Sequence, residues 1–554
     1  MPGLGKIVLC FSVFTLLFST GSLRSLGQEL PPLEITIYDS AATEGYYFMC
    51  PYRTMPPYQY YHPQLILDSL GRTVFYRVFS GLPIGNSNTL DFKIQPNGQI
   101  TYYSYALDRF LSMDSTFTEV DTFNVANNFQ MDVHDIQFLP DGHYLLLAKE
   151  SRYMNLSAYH WFGANHNQPG GTNAEVIGAV IQEFDENENL VWEWKAHDHF
   201  DFDDVDSTWL FGPNKVDWTH ANAIERDADG NMLLSSRHFN EITKINRQNG
   251  NIIWRLGGKE NQFTFVNDPI RFKGQHDIRR LPNGHITIFD NGRYHIPEMA
   301  RALEYSLIES SKIATLQWEY IYDSTMYSIA LGNFQTLENG NRLVDFGNIS
   351  GDFPWLVLVK PDKSKILEIV SPEGHVSYRA FNYKTLPWNF PRPQVECHQS
   401  GTHFTLEAES GHPEYLWSTG ATTQSIPVND TGTYWVFVPL GEGYICSKFI
   451  RITSMVNPCL FPGQDELVPP GASLECIPNP VTAGSRLVFR LSEAADVRLI
   501  LHDFSGRTIF TWPVATWSAG KHAIPFPAGN LHRGLYLLSL QTGREMIILK
   551  VTVP

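Results

Sequence analysis

Three histidines stand at one register of a recurring hairpin. His134 in "VHDIQFLPDGHYLLLAKE" and His276 in "GQHDIRRLPNGHITIFDNG" each precede a turn glycine, Gly142 or Gly284, by eight residues. His220 in "HANAIERDADGNMLLSS" precedes Gly230 by ten, a spacing that a slightly longer turn absorbs. The corresponding places before Gly98 and Gly340 hold Leu90 and Gly332, so the repeat itself does not demand histidine. Seven residues beyond the three glycines stand Lys149, Arg237 and Asn291. The start of one strand in an antiparallel hairpin neighbours the end of the other, which pairs His134 with Lys149, His220 with Arg237 and His276 with Asn291. Asn222, just beyond His220, joins Lys149 and Asn291 as a candidate for binding substrate. A neutral imidazole is a nucleophile or a base, while guanidinium and ammonium groups hold anionic oxygens. The spacing therefore predicts a cationic, donor-rich ring suited to an anion.

Simpler roles compete with this reading. A lone histidine is more often a hydrogen-bonded structural residue, but three at one register point to a site. Histidine with aspartate can also ligate zinc or iron. Lys149 and Arg237 would repel such a cation, so no metal and no cofactor is assigned. Asp135 and Asp277, each directly after a histidine, are expected to satisfy backbone groups at strand starts. Trp192, Trp254 and Trp318 read as packing residues. Gly257 and Gly258 in "WRLGGKE" read as a turn, since no phosphate-binding glycine motif follows a strand.

The elements that must position these residues are β-hairpins. Asn-Gly or Asp-Gly turns between alternating apolar runs recur at Gly98, Gly142, Gly230 and Gly284, with Gly340 in "FQTLENGNRLVDF". A second hairpin type lies between them, as in "IQEFDENENLVWEW" and "ITKINRQNGNIIWRL". Two hairpins per unit make four strands, and units of this length describe a β-propeller. The long gap between Gly142 and Gly230 holds one unit with an insertion around "NLSAYHWFGANHNQPGGTN". Six blades are expected, with five or seven also compatible with the spacing.

The chain has 554 residues and a formal net charge of -17, which argues against a general nucleic-acid or anionic-membrane partner. Lys6 followed by the apolar run Ile7 to Phe18 reads as a secretory signal over residues 1–27, too short to span a bilayer. No later segment is long and apolar enough to do so. The propeller is assigned to 28–392. Residues 393–456, with a Trp between two cysteines and a "DTGTYWVFV" strand, read as an immunoglobulin-like sandwich bridged by Cys397 and Cys446. A Pro/Gly-rich linker covers 457–474. A further alternating β-domain, expected to be a small sandwich, covers 475–554. The fold class expected is all-β.

The motifs "DWTHANAIERDADGNMLLSSR", "TKINRQNGNIIWRLGG" and "GQHDIRRLPNGHITIFDNG" resemble the arylsulfate sulfotransferases of bacteria, over roughly residues 60 to 385. That resemblance implies a six-bladed propeller that moves a sulfuryl group from an aryl sulfate donor to a phenolic acceptor without a nucleotide. It implies His276 as the nucleophile of a transient sulfohistidine, with His134, His220 and Arg237 at the other active-site positions. Either His134 or His220 would serve as general acid and base, with His220 placed as oxyanion partner of Arg237. The best-known members have Gln-His-Thr where this chain has Gln275-His276-Asp277, and a carboxylate beside the nucleophile would alter its pKa.

Residues 475–554 resemble the sorting domain of the type IX (Por) secretion system of Bacteroidetes, through "PNP" at 478–480, "LHDFSGRTIF", "GLYLLSL" and the terminal "MIILKVTVP". The resemblance implies that secretion machinery as a partner and a secreted or cell-surface location. Two rivals stand beside the transferase. One is a non-catalytic propeller binding a sulfated or anionic ligand, and the other a metal-dependent hydrolase.

Overall fold

The computed structural model describes residues 33–452 apart from 40–43, 54–62, 80–88, 163–166, 350–353, 371–374 and 401–402, together with 455 and most of 473–553. The expected signal segment and nearly all of the expected linker lie outside the described residues. Among these residues the regular structure is β-strand with short 3-10 turns and no α-helix. The chain divides into two units, 1–461 and 462–554.

Six sheets of four or more strands, antiparallel but for one added parallel strand in each of two, organise the first unit, and the all-β, propeller-like architecture is that expected from the hairpin repeats. The inner strands of the six are Thr89–Ile94, Gln130–Phe138, Ala221–Arg226, His276–Arg280, Asn333–Thr336 and His375–Tyr383. Each of these packs against the next, and the last packs against the first, so the inner strands make a closed ring. The sixth sheet is built from both ends of the unit, because His375–Tyr383 pairs with Tyr46–Arg53, which continues to Gln64–Leu67 and Thr73–Arg77. This late strand joined to an early sheet fastens the ring.

The turn glycines explain the hairpins. Gly98, Gly142, Gly230, Gly284 and Gly340 all have φ between 81 and 89°. A side chain at such φ is strained, and glycine carries none. Each glycine N–H closes the turn on the carbonyl three residues back, as Gly142 does on Leu139 at 3.0 Å and Gly284 on Leu281 at 2.9 Å. Only the glycine of the Asn-Gly pair is left-handed, the three-residue loop form of the hairpin. Both faces of the middle strands are buried, since every sheet packs between two others. Leu145, Leu146 and Leu147 in succession are 0% exposed for this reason.

Strands of 393–456 form a sheet of Val395–Ser400, His403–Ala408 and Ser425–Pro427, while Gly432–Tyr434 pairs with Ile450–Ile452. The hairpin Val436–Leu440 with Gly443–Cys446 extends the outer edge of the sixth sheet, where Tyr444 faces Tyr76 and Ile445 faces Phe75. This attachment overturns the expected Cys397–Cys446 bridge. Cys446 is a free, buried thiol packed with Tyr47, Met49 and Tyr76, whereas Cys397 packs on the core around Leu406 and Trp417. Cys397 is disulfide-bonded, but not to Cys446. The second unit contains a three-stranded and a five-stranded sheet around Leu487, Phe489, Leu501 and Leu538.

Candidate active site

The hairpin register brings the predicted pairs together. His276 opens its strand opposite Phe289, and its Nδ1 lies 2.6 Å from the side-chain oxygen of Asn291. Asn291 turns its amide nitrogen to Ser328 Oγ and to the Leu331 carbonyl, both at 2.8 Å. Ser328 Oγ in turn donates to the Ala330 carbonyl at 3.0 Å, which leaves its lone pairs to Asn291. The Asn291 oxygen therefore faces His276, and Nδ1 of the ring carries the proton. Nε2 is left with its lone pair, approached by the Leu331 N–H at 3.3 Å. His276 is 1% exposed, and its pKa lies well below 6.5, first because burial penalises the imidazolium and then because of Arg237.

His134 and His220 sit with ring centres 5.2 Å apart, each held by a carboxylate rather than an amide. Asp132 Oδ1 takes His134 Nδ1 at 2.5 Å, while Asp132 Oδ2 is 3.2 Å from Lys149 Nζ. Burial pushes the Asp132 carboxyl up, but His134 and Lys149 outweigh it and hold it below the usual range. The same carboxylate raises Lys149. Asp217 Oδ2 takes His220 Nδ1 at 2.5 Å. His220 has φ 44, a left-handed bend that folds its ring back onto the residue three before it. Burial lowers the His220 pKa and Asp217 opposes that fall.

Arg237 begins a 3-10 turn, with its N–H bonded to the His220 carbonyl at 3.1 Å. Its guanidinium lies over Trp209 at 4.1 Å and donates to the Ile329 carbonyl at 2.9 Å. Its Nε is buried and has no protein partner among the described residues, a donor free for an anion. Burial and the neighbouring Arg293 lower its pKa to about 10, which leaves it charged at neutral pH. Asn222 is 0% exposed and donates to the Gln275 carbonyl at 2.7 Å, while its side-chain oxygen has no protein partner among the described residues. Arg237, His134 and His220 all act electrostatically on His276. The structure thus gathers His276, His134, His220, Arg237, Lys149 and Asn291, and places Asn222 against the residue before His276.

A buried ion cluster lies next to these groups. Arg379 meets Asp91 at 2.8 Å and Asp135 at 3.2 Å, Lys93 meets both at 2.7 Å, and Arg279 meets Asp135 at 3.0 Å and Asp277 at 2.9 Å. Three cations thus meet three aspartates, and Glu225 lies 3.6 Å from Arg279 at the edge of the cluster. Asp135 accepts a backbone N–H from Ile224 at 3.2 Å and Asp277 one from Phe334 at 3.4 Å, each on the next sheet rather than at the strand start that the sequence suggested, and most partners of Asp135 are cations. Asp277 has φ 58 and gives its carboxylate to Arg279, so it is not the carboxylate beside the nucleophile that the sequence suggested. The residue facing His276 is the neutral Asn291.

Sequence reasoning missed Asp132, Asp217, His238 and Leu331. Asp132 lies two residues before His134, on the same strand, and the two-residue strand period carried a signal for it. His238 follows Arg237 in a 3-10 turn, where that period does not apply. Asp217, His220 and His238 have ligand atoms within 4.8 Å of one another. His238 Nδ1, however, is 2.6 Å from the Asp217 carbonyl and Nε2 is 3.1 Å from Arg237, so both ring nitrogens are committed beside a permanent cation. The donor set does not fit a metal ion.

Residues 45–380 match the family model described as arylsulfotransferase (ASST). The chain belongs to the arylsulfotransferase family. Membership supports arylsulfotransferase activity in general and implies an aryl sulfate donor with a phenolic acceptor. No curated protein matches. Among solved structures, a protein of unknown function from Bacteroides caccae is 11% identical, with 61% of this chain and 98% of that one covered and a TM-score of 0.38. A streptogramin B lyase is 9% identical over 75% and 96% of the two chains, with a TM-score of 0.32. PorZ, a surface component of the type IX secretion system of Porphyromonas gingivalis, is 10% identical over 89% and 79%, with a TM-score of 0.23.

Proposed function

We propose that this protein transfers a sulfuryl group from an aryl sulfate ester to a phenol through a sulfohistidine at His276. The observation that carries the reading is the hydrogen-bond chain from Ser328 and Leu331 through Asn291 to His276 Nδ1, from which it follows that Nδ1 holds the proton and Nε2 is unprotonated. The Nε2 lone pair attacks sulfur, an S–N bond forms and the S–O bond to the aryl oxygen breaks. The leaving aryl oxide takes a proton from His134. In the second half the phenol gives its proton back to His134, its oxygen attacks sulfur, and the S–N bond breaks. Two displacements give ping-pong kinetics. Arg237, with His220, holds the sulfuryl oxygens as charge develops, the electrostatic term that is usually largest. Lys149 shares Asp132 with His134 and adds positive charge to the site; Asn222 and Asn291 complete the polar wall.

The partner types support this division of labour. A carboxylate at Nδ1 orients the rings of His134 and His220, while the amide at Nδ1 of His276 brings no charge that would favour its imidazolium, as a nucleophile requires. The test is release of phenol from a chromogenic aryl sulfate by the purified protein, with and without an acceptor phenol, compared with His276→Asn. Acceptor-stimulated release that vanishes in the variant is expected. Release that ignores the acceptor would make the protein a hydrolase, and retention of a sulfated ligand without turnover would make it a binding propeller.

We further read the ring as six blades, residues 393–456 as an immunoglobulin-like module and 475–554 as a type IX sorting domain on an exported chain. The ordered terminal motifs support the last reading. It is tested by whether removing 475–554 retains the protein inside the cell.

A further inference from the structure

Resting on that reading, we propose that His238 is a positioning residue which aims Arg237 at the sulfuryl group, with Asp217 fixing it and His220 together. His238 is 5% exposed and lies in the same 3-10 turn as Arg237. A carbonyl oxygen only accepts, so the 2.6 Å contact between Nδ1 and the Asp217 carbonyl places the ring proton on Nδ1. Nε2 is then a lone pair, and it accepts from Arg237 Nη1 at 3.1 Å. Hydrogen bonds made by a guanidinium are among the stronger ones, and this one is shielded from water. The Ile329 carbonyl takes Nη2 and the Trp209 ring supports the planar face. These three contacts leave Nε unpartnered among the described residues, the donor free for a ligand oxygen. The His238 ring is sandwiched, stacked on Trp209 at 5.1 Å and on His220 at 4.5 Å. Asp217 thus sets one histidine through its carboxylate and the other through its carbonyl. His220 and Arg237 become one preset pair.

The two amides that replace histidine separate positioning from packing. In His238→Gln the side-chain oxygen reaches the place of Nε2 and still accepts from Arg237. In His238→Asn the amide reaches only the place of Nδ1, so the bond to Asp217 survives and the one to Arg237 is lost. Both variants lose the same stacking on Trp209 and His220. Binding of inorganic sulfate is measured by calorimetry for the whole protein and both variants, alongside KM and kcat for a chromogenic aryl sulfate. His238→Asn is expected to weaken sulfate binding and raise KM by about tenfold or more, and His238→Gln by less than about threefold, the scale of one charged hydrogen bond. Equal losses in the two variants, or no loss in either, would overturn the positioning role. A wild-type protein that binds neither inorganic sulfate nor the aryl sulfate would instead overturn the sulfuryl-transfer reading, and the inference with it.

Discussion

The Nδ1–H of His276 points at the side-chain oxygen of Asn291 from 2.6 Å, and the Asn291 amide is locked by Ser328 and Leu331 on its other side. One neutral residue thereby decides which nitrogen of the candidate nucleophile carries the proton and which keeps its lone pair.

Asn291→Asp should turn that relationship against catalysis. A carboxylate beside the ring favours the imidazolium by roughly 1–3 pKa units, and an imidazolium has no lone pair at Nε2. The acid limb of kcat/KM is expected to move upward, with activity lost at pH 6 before it is lost at pH 8. An unshifted profile would show that Asn291 does not govern the protonation of His276.

Arg237→Lys keeps the charge but replaces a planar fork with a single ammonium, which cannot reproduce the three separate nitrogens that meet His238, the Ile329 carbonyl and a ligand. Removing such a preorganised donor costs about 100- to 1,000-fold in kcat. Steady-state kinetics with one donor and one acceptor check this.

Stability carries a pH signature of the same histidine. His276 has its folded pKa depressed, so below about 6.5 the unfolded chain binds a proton that the folded chain does not, and stability falls as pH falls. Asparagine at 276 does not titrate. The melting temperature of the wild type should therefore drop relative to that of His276→Asn between pH 7 and pH 5. A constant difference across that window would contradict a buried neutral imidazole.

Arg379→Met should be among the most destabilising single changes. It leaves Asp91 and Asp135 short of a partner at full burial, a situation that costs about 3–5 kcal/mol. Arg72→Met, whose pair with Asp68 is 40% exposed on the arginine side, should cost less than about 1 kcal/mol. Denaturation midpoints of the two variants give the comparison.

Cysteine chemistry checks the arrangement of 393–456. Alkylation in denaturant without reductant should label Cys50 and Cys446 and spare Cys397. Mass spectrometry of the labelled peptides reads the outcome, and an unlabelled Cys446 would restore the bridge expected from sequence.

The site was legible where a sequence distance maps onto a spatial one. The turn glycine fixes where a hairpin reverses, so counting from Gly284 in both directions places His276 beside Asn291. The same count placed His134 near Lys149 and His220 near Arg237. Counting fails once the strand ends. His238 and Leu331 reach the site from a 3-10 turn and from the connection into the fifth sheet, and neither carries a local period. Asp277 looked like a neighbour of the nucleophile, but its left-handed φ turns the carboxylate into the cluster with Arg279. Cys446 had the spacing of a sandwich cysteine, and its hairpin joined the sixth sheet instead, so its side chain faces another core. Long-range sheet pairing of this kind leaves no mark in a local pattern.

The most direct measurement is a covalent trap. The protein is mixed with an aryl sulfate donor and no acceptor, quenched within the first turnover at alkaline pH, digested and examined by mass spectrometry. One added sulfuryl group is expected on the peptide containing His276, discharged when a phenol is supplied before quenching and absent in His276→Asn. Full turnover with His276 unmodified, or turnover retained in His276→Asn, would contradict it.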